Sequence, residues 1–243
     1  MGFPIHGAID GFSRKILWLE VTRSNNSPNK IVSHYAKKVE ELGGCPAELI
    51  TNLGTENGLA AALQSFFHDS PEAHRYVASQ RNQRIEGWWS FYSKNHSVWW
   101  RNFFSDLEAQ RIVDTSSQTN MECLWYCFNK VLQAELDFVR EHWNTHTIRK
   151  SKHGTAPGRP DSIYFLPELH GTTDYIYNVS TEEIEHGLLH ISTEDVDNLE
   201  VNEHEEYFEY VRNNLSIMLP TDWEEALEMD KKLSDIAIHG YHT

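Results

Sequence analysis

Short apolar runs separated by turn residues open the chain. Residues 3–8 (Phe-Pro-Ile-His-Gly-Ala) have the length and pattern of a strand. Asp10-Gly11-Phe12-Ser13-Arg14 reads as a hairpin turn, and residues 15–21 (Lys-Ile-Leu-Trp-Leu-Glu-Val) as the returning strand. The period then changes. Ile31, Val32, Tyr35, Ala36, Val39 and Leu42 recur at helical spacing behind Ser27-Pro28, an N-terminal capping signal, and Gly43-Gly44 closes the helix. Residues 47–51 and 76–78 suit short strands, with a helical stretch over 59–67 between them. A long aromatic segment, 86–110, has helical period throughout, and a second helix is expected over 121–142. Residues 154–167, rich in Gly and Pro, are expected to be irregular. A last helix is expected over 223–236, capped by Thr221 or Asp222. No internal repeat is visible. The order is hairpin, helix, strand, helix, strand, then long helices, which is an α/β layered domain followed by helices.

Charge divides the chain further. Of 36 acidic and 21 basic residues among 243, the stretch 171–243 carries 18 acidic and three basic ones (Arg212, Lys231, Lys232). The first 170 residues are therefore neutral, and the whole net charge of −15 lies in the last part. Three parts are expected: a core over 1–115, a helical and Gly/Pro-rich extension over 116–170, and an acidic, mainly helical segment over 171–243. That last segment is expected to stand apart from any active site. An acidic surplus argues against a whole-chain grip on nucleic acid, which needs clustered Lys and Arg. Hydrophobic residues at 40% and aromatics at 12% predict a packed core. With no apolar run long enough to span a bilayer, no secretory leader pattern and only three cysteines, an intracellular protein of nucleus or cytoplasm, with no membrane partner, is expected. Asn25-Asn26-Ser27 is accordingly a glycosylation sequon on paper alone.

Two segments carry candidate chemistry. Thr51-Asn52-Leu53-Gly54-Thr55-Glu56-Asn57-Gly58 stands where a short strand passes into a helix. Ser79-Gln80-Arg81-Asn82-Gln83-Arg84-Ile85-Glu86 leads into another helix, and 34 residues separate Asn52 from Glu86. Together these resemble the catalytic core of retroviral-type integrases and DDE transposases, which has a ribonuclease-H-like fold. Ile9-Asp10-Gly11-Phe12-Ser13-Arg14, Arg84-Ile85-Glu86-Gly87-Trp88-Trp89, His142-Trp143-Asn144-Thr145-His146 and Pro157-Gly158-Arg159-Pro160-Asp161 are similar to segments of integrase-core proteins encoded by transposon-derived animal genes. The resemblance covers residues 3–170.

The resemblance implies a two-Mg²⁺ site held by three carboxylates, acting on a DNA phosphodiester. Hard Mg²⁺ requires anionic oxygen, so the residue types matter. Glu86 is implied as catalytic and as a metal ligand. Asn52 occupies the position of the second Asp, and its amide lacks the negative charge. The first Asp of the superfamily lies on a strand upstream of the Ile-Asp-Gly-Phe-Ser-Arg turn. With Met1 so close to that turn, one reading makes Asp10 the turn residue and leaves the first strand and its Asp missing. The other makes Asp10 itself the first carboxylate, 42 residues before Asn52. Arg81, Arg84 and Lys94 are implied as nucleic-acid contacts. DNA and a second copy of the chain are implied partners, Mg²⁺ binding is expected to be weak or lost, and the acidic segment offers a docking surface for a protein. The leading functional expectation is an integrase-derived nucleic-acid-binding protein without strand-transfer activity. The alternatives are a non-catalytic protein-interaction module and a truncated gene product.

Other signals have ordinary explanations. Trp88, Trp89, Trp99, Trp100, Phe103 and Phe104 could stack on bases, but helix packing accounts for most of them. Cys123 and Cys127, four apart on one helix, could share a metal; with no second ligand pair nearby in sequence they read as packed thiols. His142 and His146 fall within the His-Trp-Asn-x-His segment, where a structural or DNA-facing role fits better than zinc.

Overall fold

The computed structural model describes residues 2–150, 156–191 and 202–240. Strands β1 (Ile5–Ile9) and β2 (Ile16–Val21) form the expected antiparallel hairpin, with Ile5 opposite Val21 and Gly7 opposite Leu19. Helix α1 (Pro28–Leu42) begins with Pro28 in its first turn and buries Ile31, Val32, Tyr35, Ala36 and Val39. It stops at Gly43, whose φ of 67° is the left-handed conformation that glycine adopts without strain. Strand β3 (Gly44–Cys45) follows, then β4 (Leu49–Asn52). Helix α2 (Gly58–His68) crosses to β5 (His74–Val77), which lies parallel to β4 with Asn52 opposite Val77.

The aromatic segment expected as one helix is two. Helix α3 (Gln83–Asn95) and helix α4 (Ser97–Ala109) meet at His96, where φ is −125° and the chain turns. The two stripes serve different cores. Trp88 and Tyr92 of α3 pack with Ile16, Leu19, Leu136 and Val139, whereas Trp100, Phe104 and Leu107 of α4 pack with Leu124 and Phe128. Helix α5 (Gln118–Thr145) supplies the last two pairs of residues on both sides and runs along the whole body. Helix α6 (Pro160–Phe165) corrects the expectation of irregular structure over 154–167: Pro160 fits the first turn, with Asp161 beside it, and burial of Ile163 holds the helix in place. Of that stretch, residues 154 and 155 lie outside the described residues.

Helix α5 closes the outer edge of the hairpin with side-chain amides. Asn144 accepts from the Ile16 amide at 2.8 Å and donates to its carbonyl at 2.9 Å. Gln133 does the same one register further on, accepting from Val21 N at 2.9 Å and donating to Leu19 O at 3.0 Å. Trp143 Nε1 donates to Arg14 O at 2.8 Å. Two helical residues thus imitate a neighbouring strand and satisfy an edge that would otherwise invite another chain. This is what the Trp-Asn pair of the His-Trp-Asn-x-His segment does here.

The acidic segment packs against the preceding elements. Strand β6 (Tyr177–Asn178) pairs with β3, and helix α7 (Thr181–Ile191) lies on α1 and α2. Gly187 permits that approach, since a Cβ there would fall 2.6 Å from Leu63 Cδ1. Helices α8 (Glu203–Asn214) and α9 (Trp223–His239) pack on α5; Asp222 caps α9 through Glu225 N at 2.9 Å. Phe208, Val211, Ala226, Met229 and Leu233 share one core with α4 and α5. Arg23 pairs with Glu122 and, at 3.2 Å, with Glu205, so the charge asymmetry of the sequence is partly answered by ion pairs across the fold. The amphipathic faces of α8 and α9 fix this outcome, because their apolar stripes must be covered.

Phe208, only 1% exposed, is buried in the core that α8 and α9 share with α4 and α5. Phe208→Ala should cost about 3–5 kcal/mol in urea unfolding, with far-ultraviolet dichroism and tryptophan fluorescence still coincident. Loss of only the last helices, ahead of the rest, would show that the segment folds on its own.

Candidate functional site

The end of β4 and the start of α3 converge. Asn52 is the last residue of β4, and Gly54 N donates to its carbonyl at 2.8 Å as the chain turns into α2. Asn57 Nδ2 donates to the same carbonyl at 3.3 Å and to Glu56 Oε1 at 2.9 Å. The Asn52 side chain is engaged at both ends. Its Oδ1 accepts from Asn82 Nδ2 at 3.0 Å, and its Nδ2 donates to Glu86 Oε1 at 3.2 Å. Asn82 sits at the N-cap of α3, where an asparagine would ordinarily accept from the first turn; its side chain serves Asn52 instead. Glu86 lies in that first turn, where the helix dipole favours a carboxylate. Asn52 and Glu86 are both half-buried.

Other expected site residues fall elsewhere. Asp10 occupies the turn between β1 and β2. Its Oδ2 accepts from Phe12 N at 3.2 Å, Ser13 N at 2.6 Å and Ser13 Oγ at 2.7 Å, so this carboxylate oxygen is spent on holding the hairpin. Arg81 and Arg84 are exposed beside the start of α3, and Lys94 is exposed in its last turn. Two residues without a role in the sequence reading stand near Asn52. Glu56 brings a further carboxylate to the strand-to-helix turn, and His74 Nε2 lies 2.9 Å from Thr51 Oγ1, tying β5 to β4. Glu56 could have been noticed as the acidic member of the Thr-Asn-Leu-Gly-Thr-Glu segment; His74 had no signal.

A cavity of about 680 Å³ opens beside these groups. Its walls include Gly7 of β1, Thr51 and Asn52 of β4, and Ile85 and Trp89 of α3. Among the described residues β1 and β4 each pair with one strand, and residues of both line this space. Because Leu19 and Val21 turn their main-chain groups to Gln133, the pairs 5–21 and 7–19 are the non-bonded ones, and Ile5 and Gly7 direct theirs away from β2. His6 lies in the same wall. Burial, aided by His34, pushes it down to about 4, so it is neutral and accepts from Trp18 Nε1 at 3.0 Å.

A strand end and a helix start bring Asn52 and Glu86, 34 residues apart in sequence, into contact within a mixed α/β domain. Residues 1–170 match the family model described as integrase core domain, and the chain belongs to that family. The mixed architecture, with small sheets followed by helices, is consistent with its ribonuclease-H-like core. No curated protein and no solved structure matches the chain. Among the described residues, no helix is long and apolar enough to cross a membrane.

Family members are typically Mg²⁺-dependent. The groups as placed fit that ion poorly: Asn52 turns an N–H rather than an oxygen toward Glu86, so only one of the two side chains offers the other's neighbourhood a ligand atom.

Asn52→Asp tests this directly. Two carboxylates at this separation repel, and one of them is pushed above its ordinary range. The variant should melt below the unmodified chain at neutral pH, regain stability as pH falls and protonation relieves the pair, and regain it at neutral pH with added Mg²⁺ or Mn²⁺. The unmodified chain should show no such response. Equal melting temperatures with and without the ions in the variant would contradict it.

Proposed function

We propose that this chain is an integrase/transposase-derived nucleic-acid-binding protein of transposon origin that does not carry out DNA strand transfer. The Asn52–Glu86 hydrogen bond carries the reading. It keeps the shape of a two-carboxylate site while replacing ion-mediated attraction with a neutral amide bridge. Asp10, bound into its turn, supplies no replacement ligand. On this reading Glu86 and Asn52 are relics of a catalytic pair, Mg²⁺ binding is weak or lost, and Arg81, Arg84 and Lys94 are the groups offered to phosphate. The exposure of Arg81 and Arg84 next to the α3 N-terminus supports that role, and Lys94 is exposed on the same helix.

The second reading, a non-catalytic protein-interaction module, has its own support. Strand spacing, sheet thickness and rise give roughly 160 Å³ per residue of extended chain, so the cavity between the open edges of β1 and β4 has room for about four residues. Extended peptides add to such edges through main-chain hydrogen bonds.

A labelled DNA duplex with Mg²⁺ or Mn²⁺ separates the readings. Neither the unmodified chain nor Asn52→Asp should nick or join DNA, because ligands acting as a unit are not restored one at a time. Metal-dependent cleavage by Asn52→Asp that disappears when Glu86→Gln is added would overturn the proposal and return Asp10 to the ligand set. Binding to the duplex should weaken with salt, and Arg81→Ala with Arg84→Ala should reduce the logarithmic salt slope by about 2. An unchanged slope would favour the interaction module.

A further inference from the structure

The core between α5 and α9 contains a cluster that the integrase site does not use. Cys123 and Cys127 lie one helical turn apart on the inward face of α5, and both are fully buried. Asp230 of α9 faces them and is 3% exposed. The two sulfurs and a carboxylate oxygen all lie within 4.8 Å of one another. Cys123 Sγ is 3.7 Å from the Asp230 carbonyl, while Asp230 Oδ1 is buried with no hydrogen-bond partner.

That arrangement is costly as it stands. An apolar core disfavours an unpaired carboxylate oxygen, and the surrounding residues are Leu, Phe, Val and Met side chains. A bound cation would give Asp230 Oδ1 the partner it lacks. Two thiolates and one carboxylate are a donor set for a thiophilic d¹⁰ dication, and sulfur excludes Mg²⁺ and Ca²⁺. Ligand atoms around tetrahedral zinc are about 3.6–3.8 Å apart, so side-chain adjustments of about 1 Å would close this triangle on an ion.

We infer that Cys123, Cys127 and Asp230 form a structural Zn²⁺ site that clamps α9 to α5. The Asp230 carbonyl, 3.7 Å from Cys123 Sγ, is the nearest further oxygen for a fourth position. Binding displaces both thiol protons, and the carboxyl proton where it is held, with no change of oxidation state. The site is independent of Asn52 and Glu86, so its fate does not bear on the integrase reading.

The test uses the full chain, purified without chelators and titrated with Co²⁺ and Zn²⁺. The expected result is about one ion per folded chain. Co²⁺ should give thiolate charge-transfer absorption with tetrahedral d–d bands, and Zn²⁺ should bleach them. Cys123→Ser with Cys127→Ser should abolish the signal, and Asp230→Asn should weaken binding at least tenfold. Cys45→Ser should leave it intact, and a signal lost with Cys45 instead would overturn the assignment. X-ray absorption of the zinc-loaded, unmodified chain needs no variant. Two sulfurs at about 2.3 Å with light ligands at about 2.0–2.2 Å support the site. A four-sulfur shell or an all-nitrogen and oxygen shell overturns it. So does a chain that is folded by circular dichroism yet takes up no ion, which would leave packed thiols beside a protonated Asp230.

Discussion

Helix α5 meets the edge of β2 through Asn144 and Gln133, and the rest of the structure is arranged around that contact. An edge strand exposes main-chain donors and acceptors that must be satisfied. Here two side-chain amides, eleven residues apart on one helix, satisfy both polarities at Ile16, Leu19 and Val21. The contact fixes the helix against the hairpin in register and along its length. With α5 so placed, one end of its apolar surface covers the hairpin and α3, and the other receives α4, α8 and α9. The acidic segment is thereby part of the main core, although its charge sets it apart in the sequence.

The same fold positions Asn52 and Glu86. The parallel β4–α2–β5 unit ends β4 beside the N-terminus of α3, and the interval in sequence lets two distant residues meet. What meets there is an amide and a carboxylate. A carboxylate pair would need a cation for stability as well as for chemistry, whereas the amide supplies a donor and removes that need. Asn82 turns its side chain from the helix end to Asn52, which completes a neutral network. On the proposed reading, hydrogen bonding to Glu86 and Asn82 replaces the attraction a shared cation would supply.

Much of this was legible beforehand. The Asp10-Gly11 turn between two apolar runs specified the hairpin, and Ser27-Pro28 with Gly43 bracketed α1, because both rest on local backbone chemistry. The convergence of Asn52 and Glu86 was legible only through resemblance, since no local rule brings positions 34 apart together. The break at His96 was not legible: helical period continues through it, and only the division of the aromatic residues between two cores bends the chain. Likewise Gln133 and Asn144 look like ordinary polar residues on a helix until β2 is placed beside them. The Cys123–Cys127 spacing was visible, but Asp230 lies more than a hundred residues away and reaches the thiols only through α9 packing.

On the proposed reading, an amide–carboxylate hydrogen bond stands where the family holds its ion. A Mn²⁺ titration of the unmodified chain, followed by electron paramagnetic resonance and compared with Glu86→Gln, tests it most directly. The expected result is the same weak, non-saturating uptake in both proteins. A saturable Mn²⁺ site in the unmodified chain that disappears in Glu86→Gln would show that Asn52 and Glu86 still hold a metal, and would contradict the claim.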